Sequence, residues 1–226
     1  MSITIGFDVY GTLIYTAGVT EALRKFVGER AVQFSTLWRE KQLEYSFRRA
    51  LMQNYVHFGF CTRFALDYVC EALDVDISLQ DREELLAGYK VLPPFADAAE
   101  SLPELKNQGY RLFAFSNGKP EDVASLLEHS GISSYFEDVV STDEIKSFKP
   151  NPAVYAHFLR RTGATGREAW LISGNPFDVI GAVSAGMRAA WVRRSDEAPF
   201  DPWEVEPTLV VNSLTDLQQA LRGYTG

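Results

Sequence analysis

Cysteine, histidine and long apolar runs are scarce in this sequence, and each scarcity removes a class of protein. There are two cysteines in 226 residues, Cys61 and Cys70. They form no C-x-x-C pair and fall in a stretch with helical patterning, so they read as buried free thiols. The three histidines, His57, His129 and His157, stand at no metal-ligand spacing. That argues against a His-based zinc enzyme or a His-containing triad. No segment reaches the run of about 18 apolar residues that a membrane span needs. The opening stretch MSITIGFDVYGTL meets an acid at position 8 and lacks a basic segment. It reads as a first strand, with the cytoplasm as the expected location. Basic residues are also in deficit, 22 against 30 acidic ones, for a formal charge of -8. Such a surface repels nucleic acid and anionic membranes, so neither is expected as a partner.

What is present is ordinary globular material, with 46% hydrophobic and 23% charged residues. The length exceeds one domain of about 100–150 residues and falls short of two, which suits one domain carrying an insertion. Ile3 to Phe7 is a short apolar run ending at Asp8, with Gly11 close behind, the pattern of a buried strand entering a tight loop. From about residue 20 to 89 apolar residues recur at helical spacing, as in Leu37, Trp38, Leu43, Phe47 and Leu51. Ser78 with Asp81 marks a helix start. Pro93 and Pro94 break this pattern. Beyond them short apolar strands, near 111–115, 137–141, 170–172, 189–192 and 209–211, alternate with helices. Residues 195–207 read as a surface loop. The alternation predicts an α/β fold, a doubly wound parallel sheet, with an inserted helical domain.

In such sheets ligands bind beyond the carboxyl ends of the strands. The residues there are Asp8-Val9-Tyr10-Gly11-Thr12, Ser116-Asn117-Gly118 and Ser173-Gly174-Asn175-Pro176-Phe177-Asp178, joined by Lys149 before Pro150. A carboxylate at a strand end can serve as a nucleophile, with Thr12 fixing its rotamer and Lys149 holding it ionised. Spacing alone leaves open a turn-forming Asp8, a solvated Lys149, and an Asp178 that merely favours a helix start.

Taken in order, D-x-x-G-T, S-N-G, K-P and S-x-N-x-x-D resemble the haloacid dehalogenase superfamily over nearly the whole chain. The resemblance implies a Rossmann-like core over 1–16 and 95–226, with a helical cap over 17–94. Phosphatases of that superfamily carry an acid two residues after the nucleophile, and here Tyr10 stands there. Their fourth motif supplies a further acid where Gly174 stands. An alkoxide leaving group needs a general acid and a halide does not. The sequence is therefore more similar to the (S)-2-haloacid dehalogenase group, whose D-x-Y-G-T-L signature is Asp8 to Leu13. The segment Leu37 to Tyr45 resembles that group's cap helix. Tyr55 to Phe58 resembles its pocket segment, with His57 where an acid is usual.

The resemblance implies metal-independent hydrolysis of short (S)-2-haloalkanoic acids to (R)-2-hydroxy acids, with no cofactor. Asp8 would be the nucleophile, and Arg39, Asn117 and Phe177 would cradle the halide. Ser116 and the backbone at Val9 and Tyr10 would hold the substrate carboxylate, while Tyr10, Leu43 and Phe58 line the pocket. Ser173, Asn175 and Asp178 would position and activate water. Tyr155 matches a hydrogen-bonding Tyr of the site. A homodimer is the implied assembly. The alternatives are a small-molecule phosphatase of the superfamily and a catalytically silent carboxylate-binding relative.

Overall fold

The computed structural model describes residues 3–224. Its centre is a sheet of six strands in the order β3-β2-β1-β4-β5-β6. These are β1 (Thr4–Phe7), β2 (Arg111–Ser116), β3 (Asp138–Ser141), β4 (Ala169–Ser173), β5 (Arg188–Val192) and β6 (Leu209–Val211). Every neighbouring pair is parallel. The central strand β1 is buried along its whole length, as is β4. This is why both are continuous apolar runs without polar alternation. Successive side chains still go to opposite faces. Leu112 and Ala114 join one apolar cluster and Phe113 and Phe115 the other. The first cluster also takes buried residues of α5 (Ala96–Asn107), α6 (Pro120–His129) and α9 (Leu214–Arg222). The second takes those of α7 (Pro152–Thr162) and α8 (Pro176–Ser184). Helices therefore cover both faces, as the alternation predicts.

The stretch between β1 and α5 is helical: α1 (Ala17–Val27), α2 (Ala31–Leu51), α3 (Phe58–Ala72) and α4 (Leu79–Gly88). Trp38 of α2 is fully buried, and its indole N–H donates to the Thr62 carbonyl of α3 at 2.8 Å. Ser78 caps α4 by accepting the Asp81 N–H at 3.2 Å, as its spacing predicts. The chain leaves the sheet and returns along two adjacent segments. Tyr15 N–H donates to the Pro93 carbonyl at 2.9 Å and Phe95 N–H to the Leu13 carbonyl at 2.8 Å.

Element boundaries fall within a residue or two of those predicted after Pro94. Residues 195–207 have no regular structure and none of them is buried, as predicted for a surface loop. Phe200 packs against Trp191 of β5 at 5.2 Å. The two cysteines are free and buried in α3, where burial pushes both thiols up, Cys61 to about 11. No helix among the described residues is long and apolar enough to cross a membrane.

Candidate active site

The chain runs outward from β1 in both directions across the sheet, so the carboxyl ends of β2, β1 and β4 stand side by side. Phe7 is in register with Ala114 and with Ile172. This is where a ligand crevice belongs in such a sheet. Asp8 follows directly on β1. The carbonyl of Val9 accepts the N–H groups of Leu13 and Ile14, each at 2.9 Å, and folds the loop tightly back. Gly11 sits at φ +80°, a left-handed conformation that costs a glycine little.

Asp8 is only 8% exposed, and its two oxygens are held unequally. Oδ2 accepts from Asn175 Nδ2 at 2.7 Å, Thr12 Oγ1 at 2.9 Å and Ser173 Oγ at 3.4 Å. Among the described residues, Oδ1 accepts only from Lys149 Nζ, at 3.1 Å. Thr12 is itself fixed, because its hydroxyl accepts the Gly174 N–H at 2.8 Å.

A lysine before a proline is ordinarily solvated, but Lys149 is 1% exposed. Its ammonium donates to Asp178 Oδ2 at 2.7 Å and the Phe115 carbonyl at 2.8 Å besides Asp8, which accounts for all three protons. Burial would pull its pKa down, but Asp178 and Asp8 outweigh that and hold it above its ordinary value. Asp178 is fully buried on the first turn of α8. Burial pushes its pKa up to about 6, with Asp8 adding to the rise and Lys149 opposing it. Tyr155 does not line the pocket. Its hydroxyl donates to Asp178 Oδ1 at 2.8 Å from α7.

Arg39 stands on α2 among acids, which suggests a surface ion pair. The structure distributes the charges otherwise. Glu44 pairs with Lys41 at 2.6 Å and with Arg48, while Arg39 has no ion pair among the described residues and lines the pocket. Asn117 presents Oδ1 to the Lys149 N–H at 3.0 Å and the Thr142 hydroxyl at 3.3 Å, which leaves its Nδ2 donor for a ligand. Ser116 Oγ accepts the Gly118 N–H at 3.1 Å and keeps its own proton to donate. Leu43, Phe58 and Phe177 complete the walls, with Phe47 edge-on to Phe177 at 5.2 Å. Val9 is the exception. Its side chain lies in the core and not in the pocket, so only its backbone could meet a ligand.

Three contributors escape sequence reading. The Phe115 carbonyl and the Asn117 acceptor both hold Lys149, and neither has a side-chain signature for that task. Arg194, just beyond β5, donates to the Thr12 carbonyl and to Asp97 Oδ2, both at 2.5 Å. Nothing in the local pattern around Arg194 marks it.

At its widest this is an α/β protein whose polar groups converge at the switch point of its sheet. The family model of haloacid dehalogenase-like hydrolases matches residues 4–186. The chain is 33% identical to an (S)-2-haloacid dehalogenase of Pseudomonas sp. (strain YL), over 93% of this chain and 90% of that one. It is 34% identical to haloacetate dehalogenase H-2 of Moraxella sp. (strain B), over 92% of each. A solved L-2-haloacid dehalogenase of Xanthobacter autotrophicus, with chloropropionic acid covalently bound, superposes with a TM-score of 0.90 at 32% identity, covering 99% of both chains. The chain belongs to the haloacid dehalogenase-like hydrolases.

Proposed function

We propose that this hydrolase of carbon–halide bonds converts (S)-2-haloalkanoic acids to (R)-2-hydroxy acids through an ester on Asp8. The observation that carries this reading is the unequal grip on the Asp8 carboxylate. Among the described residues three donors hold Oδ2, while Oδ1 meets Lys149 alone. Oδ1 is therefore the oxygen to attack C2, opposite the halogen. The C–O bond forms as the carbon–halogen bond breaks, the halide leaves with the electron pair, and C2 inverts. Oδ2 becomes the ester carbonyl. When water attacks the Asp8 carbonyl carbon, negative charge develops on Oδ2 against Asn175, Thr12 and Ser173. Asp178, with a pKa of about 6, takes the water's proton and returns it to the departing hydroxy acid.

Around these atoms, Arg39, Asn117 and Phe177 would receive the halide, with Leu43 and Phe58 as apolar walls. The Ser116 hydroxyl and the Val9 and Tyr10 N–H groups would hold the substrate carboxylate. Lys149 and Tyr155 would keep Asp8 and Asp178 oriented. Residues 17–94 would act as the cap, the rest as the core.

The chemistry of the donors supports metal independence. A Cβ at Gly174 would stand 2.5 Å from the Gly11 carbonyl oxygen, so the position has no room for a carboxylate. The ammonium of Lys149 already bridges the two carboxylates that remain. These residues do not suit a divalent cation. The same features disfavour a phosphatase. At its second acid position is Tyr10, whose hydroxyl burial pushes far above its ordinary pKa.

Free buried thiols accord with a cytoplasmic protein. A homodimer would have apolar material in Phe60, Phe64 and Tyr68, exposed along one face of α3.

The deciding experiment measures halide release from (S)- and (R)-2-chloropropanoate with and without chelator. Release from the S form alone, unchanged by chelation, is expected. Single turnover in H₂¹⁸O should put label into Asp8. Label passing straight into product would overturn the ester mechanism.

A further inference from the structure

The pocket against Asp8 is small. It measures about 20 Å³, room for about one water-sized group. Tyr10, Arg39, Phe58 and Gly118 line it and also line a cavity of about 490 Å³, so the two spaces adjoin. The larger one lies between α2, α3 and α4 on one side and the start of α6 on the other. Its volume falls within the range of about 300–1,000 Å³ typical of complete ligand sites.

The cavity has apolar groups on its walls. Phe58, Phe60, Leu86 and Tyr89 face it. Tyr89 is held edge-on by Trp38 at 5.2 Å and by Tyr10 at 6.3 Å, and its hydroxyl accepts from Gln42 Nε2 at 2.9 Å. Most of the charged groups on its lining neutralise one another. Arg63 pairs with Glu83, and Lys90 with Asp122 at 2.9 Å. Among the described residues Arg39 is the lining cation without an acceptor, and it sits at the junction with the small pocket, where a carboxylate or halide would be.

We propose that this cavity is a subsite for the part of the substrate beyond C2, and that the enzyme favours 2-haloacids with an extended alkyl or arylalkyl arm over the shortest ones. The inference rests on the dehalogenase reading. Substrate binding must open the small pocket around C2, the halogen and the carboxylate, while the arm passes Tyr10 and Phe58 into the larger space. Each methylene removed from water there adds binding that a methyl-bearing substrate cannot obtain.

The test compares (S)-2-bromopropanoate, (S)-2-bromohexanoate and (S)-2-bromo-3-phenylpropanoate by halide release. The expected kcat/KM rises about threefold per methylene, roughly 20-fold or more from propanoate to hexanoate. Calorimetry with propanoate, hexanoate and 3-phenylpropanoate should show affinity rising in the same order. Ala87→Trp, on the exposed side of α4, fills the cavity and should bring the hexanoate-to-propanoate ratio close to one. A flat or falling series in the unaltered enzyme would overturn the proposal and make the cavity a solvent-filled approach. Failure of every substrate to release halide would instead count against the dehalogenase reading, while the calorimetric series still judges the subsite.

Discussion

Asp178 shows what a single buried charge costs and what it supplies. Its pKa is raised from 3.8 to about 6, first by burial. The folded protein therefore holds this proton more tightly than the unfolded chain. Stability is highest below about pH 4 for this group, and it falls as pH rises through about 6. Asp178→Asn removes that penalty. It also leaves Lys149 and Asp8 as a balanced pair, and an amide can still meet Tyr155. The variant is expected to be more stable at pH 7 by about 1–3 kcal/mol, read as a rise in melting temperature. Ester hydrolysis should slow about 10²–10⁴-fold. Mass spectrometry should then find the Asp8 ester accumulating after one turnover, and an unmodified Asp8 would remove Asp178 from the hydrolytic step. In the native enzyme, esterification cancels the Asp8 charge that helps raise Asp178. The pH limb for ester hydrolysis should accordingly lie below about 6. Lys149→Met has the opposite sign. It strands two buried carboxylates beside each other, a loss of about 3 kcal/mol or more at pH 7. Part of that returns as pH is lowered, beginning above about 6, because losing Lys149 raises Asp178 further and one carboxylate takes a proton. A denaturation series across pH distinguishes the two signs.

At the scale of elements, the helices and strands were largely legible because each carries its own period. The strand β4 is a continuous apolar run, and α4 announces its start through Ser78 and Asp81. The convergence of Asp8, Ser116, Ser173 and Asp178 was legible because a doubly wound sheet sends its strand ends to one edge. What was not legible is contact between side chains far apart in sequence. The pairing of Lys149 with Asp8 was expected, but its full burial and its second bond, to Asp178, were not. Arg194 reads as a residue after β5, yet it lies over the Phe95 ring at 3.8 Å and clamps the Thr12 carbonyl to Asp97. Asp97 in turn accepts the Leu214 N–H at 2.7 Å, at the start of α9. One guanidinium thus ties the Asp8 loop to α5, close to where the chain returns from the inserted helices. Arg194 is expected to act as a positioning residue for Asp8, through the Thr12 loop it holds. Arg194→Met should lower kcat about tenfold, the worth of one charged hydrogen bond, with little change in KM. Arg194→Lys should recover part of it. A loss confined to thermal stability, with kcat intact, would leave Arg194 only a structural brace.

Over the whole molecule, the charge and the site have opposite signs. The chain carries a net -8, and the substrate is an anion. The residues lining the cavity and the pocket run the other way, with Arg39, Arg63, Lys90, Lys119 and Lys149 against Asp8, Glu83 and Asp122. Distance decides which field the substrate feels. At about 0.01 M salt the Debye length is roughly 30 Å, so the acidic surface repels an approaching anion from every side. At about 0.1 M it shortens to roughly 10 Å, and only the charges around the pocket mouth still act. The repulsion is then screened while the local attraction survives. The expected dependence of kcat/KM on ionic strength therefore has a maximum. It rises from 0.01 M to about 0.1 M of a non-halide salt, then declines as the local cations are screened in turn. Arg39→Gln removes the one cation in that group without a partner, and should lower the maximum while leaving the initial rise. A steady decline from the lowest salt would mean that the local cations govern approach at every distance. The acidic surface would then have no part in how the substrate arrives.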